Sequence, residues 1–205
     1  KMKIIVILRN PVDRAYSLYN WMAENGYEKS TSFAEALTVE ERLLTDLTFK
    51  DRSDMYYMNY LYFTSGLYFE QVKRYLDLFP RENFHLIIYE AFKADNLTFL
   101  RGIFNFLEIP AEVSINLEKH NKTSGIKNVR LHYFLLNDFL EESYRWFVPE
   151  RIARGIRRAL LKRNKISSGP RALESKLRDV LFEKYRQDIT KLSTLLNFDF
   201  FSVWK

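Results

Sequence analysis

The chain has 205 residues, 47% hydrophobic and 28% charged, with six Gly and five Pro, which excludes a disordered, collagen-like or linker-dominated polypeptide. It has no Cys and three widely spaced His (His85, His120, His132), so disulfides, thiolate metal sites and cysteine nucleophiles are excluded and no metal centre is expected. A formal net charge of +6 favours an anionic ligand, surface or partner.

Lys3-Ile-Ile-Val-Ile-Leu8 is a β-branched apolar run that predicts a strand buried on both faces of a parallel sheet. Within it, Ile4 to Leu8 is the longest uninterrupted apolar run, far short of a membrane span, and the reading is a cytoplasmic protein whose targeting signals, if any, lie upstream of Lys1. Asn10 is a good N-cap and Pro11 suits the first helical position, so a helix starts there and buries Val12, Ala15, Tyr16, Tyr19 and Met22. Ser32 with Glu35 predicts a capping box opening a helix from Phe33 to Leu44. Thr45 to Asn59 reads as loop or short helical pieces around an aromatic group, Tyr56, Tyr57, Tyr60, Tyr62 and Phe63.

Gly66 precedes a helix patterned by Tyr68, Val72, Tyr75, Leu76 and Phe79 and stopped by Pro80. Phe84 to Tyr89 reads as a second strand, and Asp95 caps a helix through Leu107. This alternation predicts an α/β sheet with right-handed crossovers. Beyond Pro110 a polar loop, Glu118 to Asn128, leads into helices near Val129–Tyr144, Pro149–Arg163 and Ala172–Leu196, without a strand signal of comparable strength.

The chemistry concentrates in Ile7 to Ser17. Arg9 sits at the carboxyl end of a predicted strand, where open α/β sheets bind ligands, and the next helix aims its N-terminal amides and dipole at the same place. Arg14 and Ser17 share one helix face, and Ser17 lies roughly 10 Å along the axis from the cap. Two guanidinium groups, a hydroxyl and a helix start suit a dianionic phosphate. The plainer reading pairs an Arg with Asp13 and bonds Ser17 back into its own helix.

Leu8-Arg9-Asn10-Pro11-Val12-Asp13-Arg14-Ala15-Tyr16-Ser17 resembles the 3′-phosphate-binding motif of sulfotransferases that use 3′-phosphoadenosine 5′-phosphosulfate (PAPS). Further segments follow in that family's order. Gly66 to Pro80 is similar to the helix before its next strand, Ile88-Tyr89-Glu90-Ala91-Phe92 to its Tyr-Glu-Asp-Phe segment with Ala91 in place of Asp, and Ile103 to Leu107 to a helix end. Asn121-Lys122-Thr123-Ser124-Gly125, with Lys127, is similar to the loop that closes over the cofactor. The resemblance implies a P-loop-NTPase-like parallel sheet flanked by helices, with a mostly helical C-terminal part. It also implies one sulfotransferase domain over 1–205, with an α/β core in 1–110 and the cofactor loop and helical region in 111–205. PAPS would be the cofactor and adenosine 3′,5′-bisphosphate the product, with Arg9, Ser17 and Arg14 on the 3′-phosphate. Asn121, Lys122, Ser124, Gly125 and Lys127 would cover the nucleotide, and Tyr68 would lie against the adenine or in the core.

The family's glycine-rich loop and Lys for the 5′-phosphosulfate have no counterpart in these residues. The chain therefore reads as the C-terminal two-thirds of a sulfotransferase, with the catalytic base unassigned. An N-terminal segment, in cis or on a separate chain, is expected along the Lys3–Leu8 edge and is required for transfer to a carbohydrate or small-molecule acceptor. The rivals are a phosphate-loop kinase and a non-catalytic basic module. Glu90 reads as a structural carboxylate that caps the next helix or pairs with an Arg, His120 as a solvated loop residue, and the Tyr56–Phe63 group as core. In Glu150 to Arg163, Ile152, Ile156, Ala159 and Leu160 form one stripe and Arg151, Arg154, Arg158 and Lys162 another, widened by Arg157 and Arg163 and flanked by Arg145 and Lys165. The stripes fit a solvated face, an anionic polymer or an acidic membrane; no nucleic-acid reader motif accompanies them.

Overall fold

Strand β1 (Ile4–Leu8) pairs in parallel with β2 (Phe84–Ile88), Ile4 opposite Phe84 through Leu8 opposite Ile88. The computed structural model describes residues 2–46, 48, 57–110, 124–137, 149–166 and 168–204. A parallel pair needs a crossover, and the chain between the strands supplies helices α1 (Pro11–Glu24), α2 (Phe33–Leu43) and α3 (Tyr68–Leu78). Among the described residues β1 pairs with β2 alone.

Burial of β1 on both faces is not what the structure shows. Leu8 is buried and Ile4 and Val6 are half-buried, but Ile5 and Ile7 are 37% and 56% exposed. Side chains alternate across a strand, so one face meets the core and the other is open. The sequence could not tell the faces apart because both carry branched apolar residues.

β2 ends at Ile88, one residue short of the expected strand, because α4 (Tyr89–Ala94) begins at once. Its cap residue, Ile88, has no side chain able to accept a hydrogen bond, so the sequence carried no start signal for α4. Asp95 caps α5 (Asn96–Leu107) as expected, accepting from the Thr98 amide at 3.1 Å. Lys3 ties the start of β1 to the end of α5 through the Phe106 carbonyl at 2.5 Å and the Glu108 carboxylate at 2.8 Å. Ser32 likewise caps α2, but Glu35 reaches back to the Thr31 amide at 2.7 Å, one residue before the reciprocal partner a capping box would give it.

Two strands were not foreseen: β3 (Gly125–Ile126) and β4 (Lys165–Ile166), paired antiparallel. Two-residue strands have no periodicity to read. Gly125 is required there, since a Cβ would lie 2.9 Å from the Pro170 Cα. Helix α6 (Val129–Leu136) stops where Asn137 turns extended, and the rest of the helix expected through Tyr144 falls outside the described residues. Then come α7 (Glu150–Asn164), α8 (Ser175–Leu196) and α9 (Phe201–Trp204).

The chain divides into two compact units that interleave along the sequence. One comprises Lys1–Arg14, Gly66–Lys119 and Asp179–Lys205, and holds the parallel pair with Tyr185, Ile189, Phe200 and Trp204 in its core. Within it, the Asp188 carboxylate accepts from the Tyr68 amide at 2.8 Å and the Phe69 amide at 3.2 Å, doing for α3 what its cap residue Leu67 cannot. The other comprises Ala15–Ser65 and His120–Arg178, and is cored by a ring cluster of Tyr16, Tyr19, Phe33 and Tyr62. The whole is a mixed α/β structure, mostly helical, with a parallel strand pair.

Candidate functional site

Arg9 is the first residue past β1, and Asn10 caps α1. The Asn10 Oδ1 accepts from the Val12 amide at 3.0 Å and the Asp13 amide at 3.3 Å, while Pro11 has no amide to satisfy. The N-terminal amides of α1 are therefore committed to Asn10 and are not aimed at a ligand, as the sequence reading had them. The helix contributes its dipole alone.

The peptide group joining Arg9 to Asn10 is fixed at both ends. Its carbonyl accepts from the Tyr68 hydroxyl at 3.1 Å, and its amide donates to Glu90 Oε1 at 2.9 Å. Glu90 Oε2 accepts from the Trp204 indole at 3.0 Å, and Asn10 Nδ2 donates to the Trp204 carbonyl at 2.5 Å, closing a buried ring of contacts. Glu90 is thus structural, but its partners are an amide and an indole, neither the helix cap nor the Arg expected. Burial pushes the Tyr68 hydroxyl up to about 12, with Arg14 opposing and Glu90 adding, so it stays a donor at physiological pH. The Tyr68 ring is buried, 6.0 Å from that of Trp204.

The Arg9 guanidinium lies 4.9 Å from the Tyr89 ring centroid and, among the described residues, pairs with no carboxylate. Stacking leaves the edge of the fork open to donate. Ser17 is half-buried, and its hydroxyl makes no hydrogen bond to the described residues. It does not bond back into its helix as Thr38, Thr190 and Thr194 do. Arg14 is half-buried one turn before it. The end of β1 therefore presents an available guanidinium beside the positive end of a helix.

Asn121, Lys122 and His120 lie outside the described residues. The described part of that loop, from Ser124 onward, is fastened down. Both the amide of Ser124, at 3.1 Å, and its hydroxyl donate to the carboxylate of Glu24, the last residue of α1, and Lys165 adds a contact at 3.2 Å. Burial pushes the Glu24 carboxyl up, but the Ser124 hydroxyl, Lys165 and the Ser124 amide outweigh it and hold it below its usual range. Gly125 is in β3, and Lys127 donates to the Arg163 carbonyl at 2.7 Å.

His132 completes this junction. It is 1% exposed, its Nε2 lies 2.9 Å from the Glu24 carbonyl, and its Nδ1 is buried with no hydrogen-bond partner among the described residues. Burial lowers its pKa, against the raising effect of the Glu24 carbonyl. The unfolded chain therefore binds a proton more readily than the folded one, and stability falls as pH drops below about 6.5, the ordinary histidine value. Thermal melts from pH 7.5 to 5 should show that loss, and His132→Gln should flatten it. An unchanged slope in the variant would remove His132 as the cause.

Of the aromatic group, Tyr62 is buried and donates to Glu28, Tyr57, Tyr60 and Phe63 are half-buried, Tyr60 donates to the Tyr27 carbonyl at 3.4 Å, and Tyr56 lies outside the described residues. The second unit also holds a cleft of about 270 Å³, walled by Tyr16, Tyr19 and Phe33 and rimmed by Asn20, Lys127 and Arg171. Sequence reading missed it because its residues come from separate stretches with no shared motif.

The family model for the sulfotransferase domain matches residues 1–163. Among solved structures, that of a sulfotransferase from Alicyclobacillus acidocaldarius is similar, with a TM-score of 0.64 at 25% identity over 98% of this chain. The chain spans 57% of the length of that structure and shares its P-loop-like α/β fold. No curated protein sequence matches. Matched from residue 1 to 163 of 205, this chain belongs to the sulfotransferase domain family.

Proposed function

We propose that the whole protein transfers a sulfuryl group from PAPS to a hydroxyl or amine of a carbohydrate or small-molecule acceptor. The observation that carries this is the Arg9 guanidinium at the end of β1, which lies on the Tyr89 ring and pairs with no described carboxylate. Arg9 and Ser17, with Arg14 adding charge, hold the 3′-phosphate through charge-assisted hydrogen bonds. Tyr68 acts from behind by fixing the Arg9 carbonyl. When bound, PAPS supplies an activated sulfuryl group and leaves as adenosine 3′,5′-bisphosphate. The role of these residues is to position the nucleotide and neutralise charge on its 3′ side. The group that deprotonates the acceptor and the hold on the 5′-phosphosulfate are not assigned to residues of this chain.

Nucleotide titration by calorimetry tests the reading against a phosphate-loop kinase. Adenosine 3′,5′-bisphosphate should bind at least about tenfold tighter than ATP, with or without Mg²⁺, because only it presents a 3′-phosphate to two charge-assisted contacts. Mg²⁺-dependent ATP binding tighter than that of the bisphosphate would overturn the assignment in favour of the kinase.

A further inference from the structure

Helix α7 turns outward what an amphipathic helix ordinarily hides. Its inner face is set by Ala153, by Arg157 and by Asn164. The Arg157 guanidinium donates to the Leu135 carbonyl and, at 3.0 Å, to the Leu136 carbonyl, clamping α7 onto the C-terminal end of α6. Asn164 exchanges two hydrogen bonds with Asn128, at 2.8 and 3.0 Å. With the helix rolled this way, Ile152, Ile156 and Leu160 stay 55%, 55% and 40% exposed. They are four residues apart and form one line along the helix.

Arg151, Arg154, Arg158 and Lys162 are exposed along the other side of the outer face. At 100° per residue, Gly155 and Ala159 fall between the two lines, at the crest of the helix. A Cβ added at Gly155 would meet nothing within 4 Å. The helix has six basic residues against one acidic residue, Glu150. Helix α6, to which α7 is clamped, adds exposed Leu131 (39%), Phe134 (52%) and Arg130.

We propose that α7 and α6 dock this protein on an acidic lipid bilayer, with α7 lying in the interface plane. A small-residue crest lets the helix come close. Ile152, Ile156 and Leu160 enter the acyl boundary, and the basic line reaches lipid phosphates through long aliphatic stems. The occupant is chosen by charge and by the apolar line together. A polyanion in water would use the arginines but has no use for three exposed branched side chains, whereas an anionic bilayer uses both. No described helix is long and apolar enough to cross a membrane, which fits a helix lying on the surface.

The test is sedimentation of the protein with phosphatidylcholine vesicles with and without phosphatidylglycerol. Binding is expected only with the anionic lipid, and it should weaken as salt shortens the screening length. Arg151→Glu/Arg154→Glu/Arg158→Glu should lower partitioning by at least about a hundredfold, from the loss of three surface cations and the gain of three anions. Ile152→Ser/Ile156→Ser/Leu160→Ser should lower it by about tenfold or more, from lost acyl contact, while retention on heparin is unchanged. The single variant Ile156→Ser, which leaves most of the exposed surface intact, should show a smaller loss in the same direction. The proposal is overturned by absent binding to anionic vesicles, or by serine variants that bind as well as wild type, which would mark a polyanion surface. A dimer in light scattering that the serine variants dissociate would overturn it too, by assigning the face to a second copy. None of these outcomes bears on nucleotide binding.

Discussion

Arg9→Ala is expected to weaken adenosine 3′,5′-bisphosphate by about 2–4 kcal/mol, since a charge-assisted two-point contact is lost and the phosphate is left underpaired. Ser17→Ala should cost about 1–2 kcal/mol by removing one hydroxyl donor. Because the Arg9 guanidinium pairs with no described carboxylate, its removal orphans no protein partner, and thermal stability should change little. Adenosine 5′-phosphate has no 3′ group and should be nearly indifferent to both substitutions. Calorimetry with the two nucleotides reads the difference. Equal losses for both would place Arg9 elsewhere on the ligand.

The second large effect lies behind the site. Asn10→Ala removes the cap of α1, worth about 1 kcal/mol, and leaves the Trp204 carbonyl unpaired in the core at about 1–3 kcal/mol. A loss of roughly 3 kcal/mol corresponds to a melting temperature lower by about 6–12 °C for a chain of this size. Glu90→Gln keeps an acceptor for the Asn10 amide but turns an NH₂ toward the Trp204 indole donor, and should cost about 1.5–3 kcal/mol. Both variants should also weaken the bisphosphate, because each disturbs a Trp204 contact that holds Asn10 or Glu90 beside the peptide that aims Arg9. Melting curves alongside nucleotide titration separate the two effects. Full stability in Asn10→Ala would show that the contacts with Trp204 are not cooperative with the fold.

Residues 3–17 were the most legible part of the chain, because each feature there is local. An apolar run, an Asn that caps, a Pro at the first helical position and buried residues at helical spacing all point the same way. The contacts that fix the site were not legible. Asn10 meets Trp204 across 194 residues and Glu90 across 80, and nothing in a single sequence pairs such positions. Glu90 could be read as structural but not as the partner of an amide and an indole. β3 and β4 were missed for lack of length, and α4 for lack of a cap. The outward roll of α7 was invisible because its stripes follow from sequence, whereas the face that docks is chosen by Arg157 and Asn164. The exposed face of β1 was hidden by the same ambiguity, since the apolar run reads alike for one covered face or two.

The most direct test of the central claim is a crystal structure of the protein with adenosine 3′,5′-bisphosphate. The account predicts the 3′-phosphate within hydrogen-bonding distance of the Arg9 guanidinium and the Ser17 hydroxyl, with the Arg9–Asn10 peptide unmoved between Tyr68 and Glu90. A 3′-phosphate bound elsewhere, with Arg9 still resting on Tyr89 and contacting no ligand atom, would contradict it.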